Sequence, residues 1–285
     1  MLSVSCVPLL RTAVWSCASI THTRRLPYIC STDATWDPTA DGEAARALGL
    51  WPLDEYNAVL LDEVHPRSWC DPAPPEIYDL VVIGAGAGGL VSSKQAARRG
   101  ARSCMISEEL AGGDCLNIGC VPSKALLRAA RAIREVRRSA EFGVVLSEPP
   151  RVDFPAIMRR LRAKRAQIAP ADSHTGTTAT GADVYQGRGR FTGSHTVEVN
   201  GQTLHFRKAV IATGGRALVP SIPGLADVPY VTNAQLFNLE TLPKRLAVLG
   251  AGAVGLEVRP VTHASASVHC LCGRPCLFRR LKRPH

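Results

Sequence analysis

The sequence of 285 residues predicts an α/β chain: a three-layer domain on a parallel sheet, followed by the beginning of a second, incomplete unit of the same kind. Three observations predict it. Leu80-Val81-Val82-Ile83 is a short, wholly apolar run, the pattern of a strand buried on both faces of a parallel sheet. It passes directly into Gly84-Ala85-Gly86-Ala87-Gly88-Gly89, then a helical stretch to about Arg99, a stop at Gly100 and a second strand over 102–107. The same order returns near the C-terminus, where the strand 245–249 meets Gly250-Ala251-Gly252-Ala253-Val254-Gly255.

Along the chain, residues 1–32 are rich in serine, threonine and arginine and contain no acid, the composition of an organelle transit peptide. The expected location is a chloroplast or mitochondrion, or the cytoplasm if this leader is not a transit peptide. Residues 33–76 form a lead-in segment punctuated by proline and aspartate. Leu53, Tyr56, Leu60, Leu61 and Val64 fall at helical spacing there, and Pro72, Pro74 and Pro75 make a stiff linker. The main domain occupies 77–242. Gly84, Gly86 and Gly89 have the spacing at which the first glycine makes a tight turn, the second admits a pyrophosphate and the third lets helix and strand pack closely. The acidic residue expected at the end of the second strand is assigned to Glu108, next to Ser107.

A helix is expected over 123–138, and another from the cap Asp153, with Pro155 in its first turn, to about Ile168. Extended segments follow at 184–191 and 196–207, the latter folded at Asn200-Gly201, a strong hairpin signal. A separate strand over 208–212 enters Thr213-Gly214-Gly215, whose backbone can approach a ligand. Residues 243–257 begin the second unit. In the basic tail 258–285, Pro260 is expected to break the helix after the second turn, leaving nothing that would complete a parallel sheet.

Between the second strand and the helix lies Gly112-Gly113-Asp114-Cys115-Leu116-Asn117-Ile118-Gly119-Cys120-Val121-Pro122-Ser123-Lys124. Positions five apart on a regular helix face about 140° away from each other, so Cys115 and Cys120 meet only if the backbone is distorted. Gly119 permits that, and Pro122 suits the first turn of a helix. Cys120 is therefore expected near a helix N-terminus with Lys124 one turn on, a setting that favours a thiolate. A closed inert disulfide and a pair of buried thiols remain alternatives on spacing alone.

Composition narrows the function classes. The net charge of +10 invites nucleic-acid binding, but nine of the 34 basic residues lie in the two acid-free ends, leaving 25 basic against 24 acidic residues over 33–257. The arginine-rich faces at 128–138 and 159–165 carry no interleaved aromatics for stacking bases, so no nucleic-acid partner is expected. Ten cysteines with one close pair in a chain of this length read as catalytic rather than as a secreted scaffold. No uncharged apolar run has bilayer-spanning length, so no membrane segment is expected. His269, Cys270, Cys272 and Cys276 in the tail match no common zinc spacing, and no metal site is expected.

Two dinucleotide turns with a cysteine pair after the first make the chain resemble the class I pyridine nucleotide-disulfide oxidoreductases, over about 78–257. The lead-in Leu53-Asp54-Glu55-Tyr56-Asn57 and Val64-His65-Pro66, with Val152-Asp153-Phe154-Pro155, is most similar to the mercuric reductase-like and dihydrolipoyl dehydrogenase branch. The resemblance implies an FAD-binding Rossmann-like domain, then an incomplete NAD(P)-binding one. It implies FAD on Gly84, Gly86, Gly89, Glu108, Gly113, Thr213 and Gly214, with Lys124 near the flavin ring, and NAD(P)H on Gly250, Gly252 and Gly255. Cys120 becomes the flavin-facing charge-transfer thiolate, Cys115 the interchange thiol, and Glu257 the partner of Lys124. The implied reaction carries electrons from NAD(P)H through FAD to the Cys115/Cys120 disulfide and on to a small-molecule disulfide or mercuric ion. The family's later flavin-holding segment and the interface domain that makes it a homodimer have no match here, so the alternative expectation is a non-catalytic FAD-binding fragment.

Overall fold

The computed structural model describes residues 38–250, 252–263 and 267–271. The leader 1–32 and the tail cysteines Cys272 and Cys276 lie outside the described residues. In chain order the helices and strands are α1 (Pro38–Ala47), α2 (Glu55–Val64), β1 (Tyr78–Ile83), α3 (Ala87–Arg98), β2 (Ser103–Ser107), α4 (Gly113–Asn117) and α5 (Cys120–Arg137). Then come α6 (Phe154–Asp172), α7 (His174–Thr178), β3 (Asp183–Gln186), β4 (Arg190–Gly193), β5 (Thr196–Val199), β6 (Gln202–Ile211), α8 (Asn233–Leu236), β7 (Arg245–Leu249), α9 (Ala253–His263) and β8 (Ser267–Leu271).

Six strands form one sheet in the order β3-β2-β1-β6-β5-β4. The apolar run of β1 earns its central place: Val81 and Val82 are fully buried, with Cys104 of β2 beside Val81 on one flank and Ala209 of β6 on the other, both pairings parallel. One face carries Leu60, Leu61 and Val64 of α2, Leu90 of α3, Leu116 of α4 and Ala169 of α6, packed on Met105 and Val184 of the sheet. Each of the leucine, valine and methionine side chains contributes about 1.5–3 kcal/mol by leaving water. The other face joins Tyr78, Val81 and Ile106 to Val197, Val199, Leu204 and Phe206 of the antiparallel end. The result is the expected mixed α/β, Rossmann-like three-layer domain.

Differences from the sequence reading have local causes. Helix α1 was not expected; its alanine-rich run ends at Gly49, whose φ of 77° only glycine adopts freely. Helix α6 starts at its Asp153 cap, which accepts from the Ala156 amide at 3.0 Å, but runs four residues past Ile168, through Pro170. Burial of Ala169 holds that last turn although Pro170 has no amide to donate. The strands expected at 196–207 and 208–212 are divided differently, because β6 is a single strand. Its first part pairs antiparallel with β5 across the Asn200-Gly201 turn, where both residues have positive φ, and its second part pairs parallel with β1.

The expected break at Pro260 does not occur. Helix α9 continues to His263, because one missing amide late in a helix costs one bond while its first half is anchored by Val254 and by the buried Val258. The tail then supplies β8, which lies parallel to β7 from Arg245 beside Ser267 to Leu249 beside Leu271. Strand β7, helix α9 and strand β8 thus make a second βαβ unit. Among the described residues no helix is long and apolar enough to cross a membrane.

Candidate active site

The first glycine turn joins β1 to α3 with no room for side chains. Gly84 has φ of 107°, and a Cβ there would lie 2.2 Å from the Ala212 carbonyl oxygen at the end of β6. A Cβ on Gly89 would fall 1.8 Å from the Gly84 oxygen, so α3 sits directly on the turn. Gly86 caps α3 and lies against Gly113, where a Cβ would come 2.6 Å from the Gly86 Cα. The start of α3 therefore presents free amides and bare backbone to a cavity of about 1210 Å³. Ser107, Glu108 and Glu109 line one wall, and Thr213 and Gly214 another. A narrow glycine-walled groove ending on helix amides fits the diphosphate of an extended dinucleotide such as FAD, and its volume accommodates one.

The cysteines lie in the same cavity. Helix α4 ends at Asn117, Gly119 adopts φ −138° and ψ −108°, and α5 begins at Cys120. A Cβ on Gly119 would meet the Asp114 oxygen at 2.6 Å, so glycine is required for the two helices to meet at this break. The distortion expected from the spacing is thus present, and both cysteines are free thiols. Cys115 is half-buried and Cys120 is exposed, at the N-terminus of an 18-residue helix. Burial pushes the Cys115 thiol up to about 11, helped by its hydrogen bond to Cys120, the Cys120 charge and Asp172, while Lys124 pulls the other way. Cys115 therefore keeps its proton at neutral pH.

Lys124, one turn into α5, donates from Nζ to Glu257 Oε1 of α9 at 2.7 Å. The neighbouring Ser123 hydroxyl donates to Glu257 Oε2 at 2.6 Å. Lys124 and then Ser123 hold the Glu257 carboxyl below its ordinary value, and Glu257 in turn raises the Lys124 ammonium. The structure therefore brings together Cys115, Cys120, Lys124 and Glu257 around one cavity. Ser123 was not read from the sequence, although its place beside Lys124 was a signal.

Other predicted residues are placed as follows. Glu108 is exposed just after β2, 3.8 Å from the Arg188 guanidinium. Its neighbour Glu109 pairs with Arg216, so two acids rather than one reach the rim. In the second turn Gly250 has φ of 103°, and a Cβ on Gly255 would meet the Gly250 oxygen at 2.8 Å and Val248 Cγ1 at 3.4 Å. Gly89 makes the same two contacts, with Gly84 and with Val82 Cγ1. Gly252 faces open space. Among the described residues no three His, Cys, Asp or Glu side chains are grouped as a metal site.

A doubly turned dinucleotide fold with a dithiol beside its first turn is the architecture of flavoprotein disulfide reductases, and residues 78–283 match the profile of the pyridine nucleotide-disulphide oxidoreductases: the chain belongs to that family. The match extends well into the tail. Among its relatives, a dihydrolipoyl dehydrogenase of Acholeplasma laidlawii is 34% identical over 194 residues, covering 67% of this chain and 57% of the relative. A mercuric reductase of Lysinibacillus sphaericus is 32% identical over 231 residues, covering 81% of this chain and 42% of the relative. A solved structure, the HOCl-induced flavoprotein disulfide reductase RclA from Escherichia coli, superposes with a TM-score of 0.55 at 28% identity, covering 68% of this chain and 41% of that one. The chain thus spans about half the length of the relatives it matches.

Proposed function

We propose that this chain acts as a flavin-dependent disulfide oxidoreductase in which oxidation of NAD(P)H reduces a Cys115–Cys120 disulfide, and the resulting dithiol reduces a small-molecule disulfide or mercuric ion. The observation that supports it best is the single cavity shared by the first glycine turn, the two cysteines and the Lys124–Glu257 pair. Bound FAD supplies the two-electron acceptor chemistry that side chains lack.

The chain's own residues would divide the work. Gly84, Gly86, Gly89 and Gly113 clear the backbone for the diphosphate, Glu108 takes a ribose hydroxyl, and Thr213 with Gly214 forms the opposite wall. Cys120, at a helix N-terminus, would be the sulfur that faces the flavin, and Glu257 would fix the Lys124 ammonium near it. Cys115 keeps its proton until it meets substrate. With a disulfide acceptor, the Cys115 sulfur bonds to one substrate sulfur and the other leaves as a thiol. Attack by Cys120 on Cys115 then frees the second thiol and restores the disulfide. Gly250, Gly252 and Gly255 would receive the pyridine nucleotide. This reading divides the chain into a flavin domain over 77–242 and a nucleotide unit that begins at 243.

The test is reconstitution of the 285-residue chain with FAD, addition of NADH or NADPH, and titration of the thiols released at Cys115 and Cys120. Two new thiols per chain are expected. Bound flavin with no nucleotide-dependent thiol release would leave only a flavin-binding fragment, and absence of flavin binding would sink both readings.

A further inference from the structure

Arg165 of α6 is the largest side chain with no solvent exposure among the described residues. Its Nη2 donates to Asn57 Oδ1 of α2 at 2.8 Å, and its Nη1 donates to the Asn117 carbonyl oxygen at 2.9 Å, where α4 stops. Both partners are themselves braced. Asn57 donates from Nδ2 to Pro52 O at 2.6 Å, and its amide donates to Asp54 Oδ1 at 3.0 Å. Asp54 Oδ2 in turn accepts from Arg162 Nε of α6. Asn117 donates from Nδ2 to Ala111 O and Gly113 O at 3.0 and 2.9 Å.

Burial of a guanidinium is unfavourable, and an apolar side chain would fill a helix interface without that cost. Burial lowers the Arg165 pKa to about 10, so the group stays charged at neutral pH. Its Nε has no hydrogen-bond partner, so the buried guanidinium is not fully satisfied. What Arg165 does supply is a donor at one particular carbonyl. In an unbroken helix Asn117 O would accept from the amide of Val121. Here that oxygen accepts from Arg165, and the break at Ile118 and Gly119 brings Cys120 next to Cys115.

We propose that Arg165, braced by Asn57 of the lead-in segment, is a positioning residue that holds the break between α4 and α5 and so sets the equilibrium between the Cys115/Cys120 dithiol and its disulfide. The lead-in helix thereby becomes part of the redox apparatus although it touches neither sulfur. This rests on the proposed cycling of the pair, and its test needs no flavin. The full chain is equilibrated with mixtures of oxidised and reduced glutathione, where the two thiols and one glutathione disulfide exchange for the protein disulfide and two glutathione thiols. The products are trapped by alkylation and counted by mass spectrometry of the peptide spanning both cysteines.

Arg165→Met and Asn57→Leu are expected to make the protein disulfide about tenfold less stable, a rise of about 30 mV in potential. Arg165→Lys, which retains a donor for Asn117 O, should recover part of the loss. Arg159→Gln removes the exposed ion pair to Glu55 between the same two helices without touching the Arg165, Asn57 and Asp54 contacts, and should leave the exchange constant within about twofold. An unchanged constant in Asn57→Leu overturns the proposal even if Arg165→Met fails to fold. So does an equal shift in Arg159→Gln. A wild-type pair that forms no disulfide at any glutathione ratio refutes the cycling itself, and this inference with it.

Discussion

Glu257 serves two donors that are adjacent in sequence, Ser123 and Lys124, and its side chain keeps 24% exposure against 60% for Lys124. An ion pair this open adds little to folding, so its worth lies in aiming the ammonium. Glu257→Gln is expected to leave the melting curve unchanged while nucleotide-dependent thiol release falls about tenfold, with Ser123→Ala giving a smaller loss. Circular dichroism and thiol titration of the same samples check both halves. The asymmetry of the cysteines is testable separately. Alkylation of Cys115 should rise only as pH nears 11, and Cys120→Ser should move that inflection down, since the neighbouring sulfur's hydrogen bond and charge are lost while burial remains. An inflection unchanged by Cys120→Ser would show that the two sulfurs do not share a proton.

At the scale of elements, the two glycine turns are one local solution used twice with different tolerance. A Cβ on Gly89 lies 1.8 Å from a carbonyl oxygen and one on Gly255 lies 2.8 Å away. Gly89→Ala is expected to destabilise by about 3 kcal/mol or more and abolish flavin retention, whereas Gly255→Ala should cost about 1 kcal/mol and leave the first turn intact. Urea unfolding with bound-flavin absorbance measures both. These turns were legible in the sequence because strand, turn and helix are local: an apolar run, three spaced glycines and a helical stretch state their own geometry. So was the Asn200-Gly201 hairpin. The continuity of β6, the passage of α9 through Pro260 and the existence of β8 were not, because each depends on a neighbour that supplies burial or a ladder of hydrogen bonds. The candidate site divides the same way. Cys115, Cys120 and the glycines could be read from spacing, and the Lys124–Glu257 pair from family resemblance. The Arg165, Asn57 and Asn117 contacts join residues far apart in the chain, and nothing in their immediate sequence marks them.

Taken whole, the molecule contains a built-in acid sensitivity. His174 is fully buried with neither ring nitrogen hydrogen-bonded, 5.0 Å from the Trp69 ring. Burial first, then His65, lowers its pKa to about 4, and burial also lowers that of His65. The unfolded chain takes up these protons near pH 6.5 while the folded one refuses them, so the stability they contribute is complete above about 6.5. It is lost as pH falls toward 4, on the order of 3 kcal/mol for His174. Tryptophan fluorescence during unfolding at several pH values should show this slope, and His174→Phe should flatten it. The sheet carries a further consequence for synthesis. The central strand β1 pairs on one side with β2, close behind it, and on the other with β6, which follows only after α6, β3, β4 and β5. A ribosome therefore exposes β1 with one unsatisfied edge for most of the time the domain takes to emerge. Slower translation would prolong that interval, so codon acceleration or chaperone supply should raise the soluble yield of this chain.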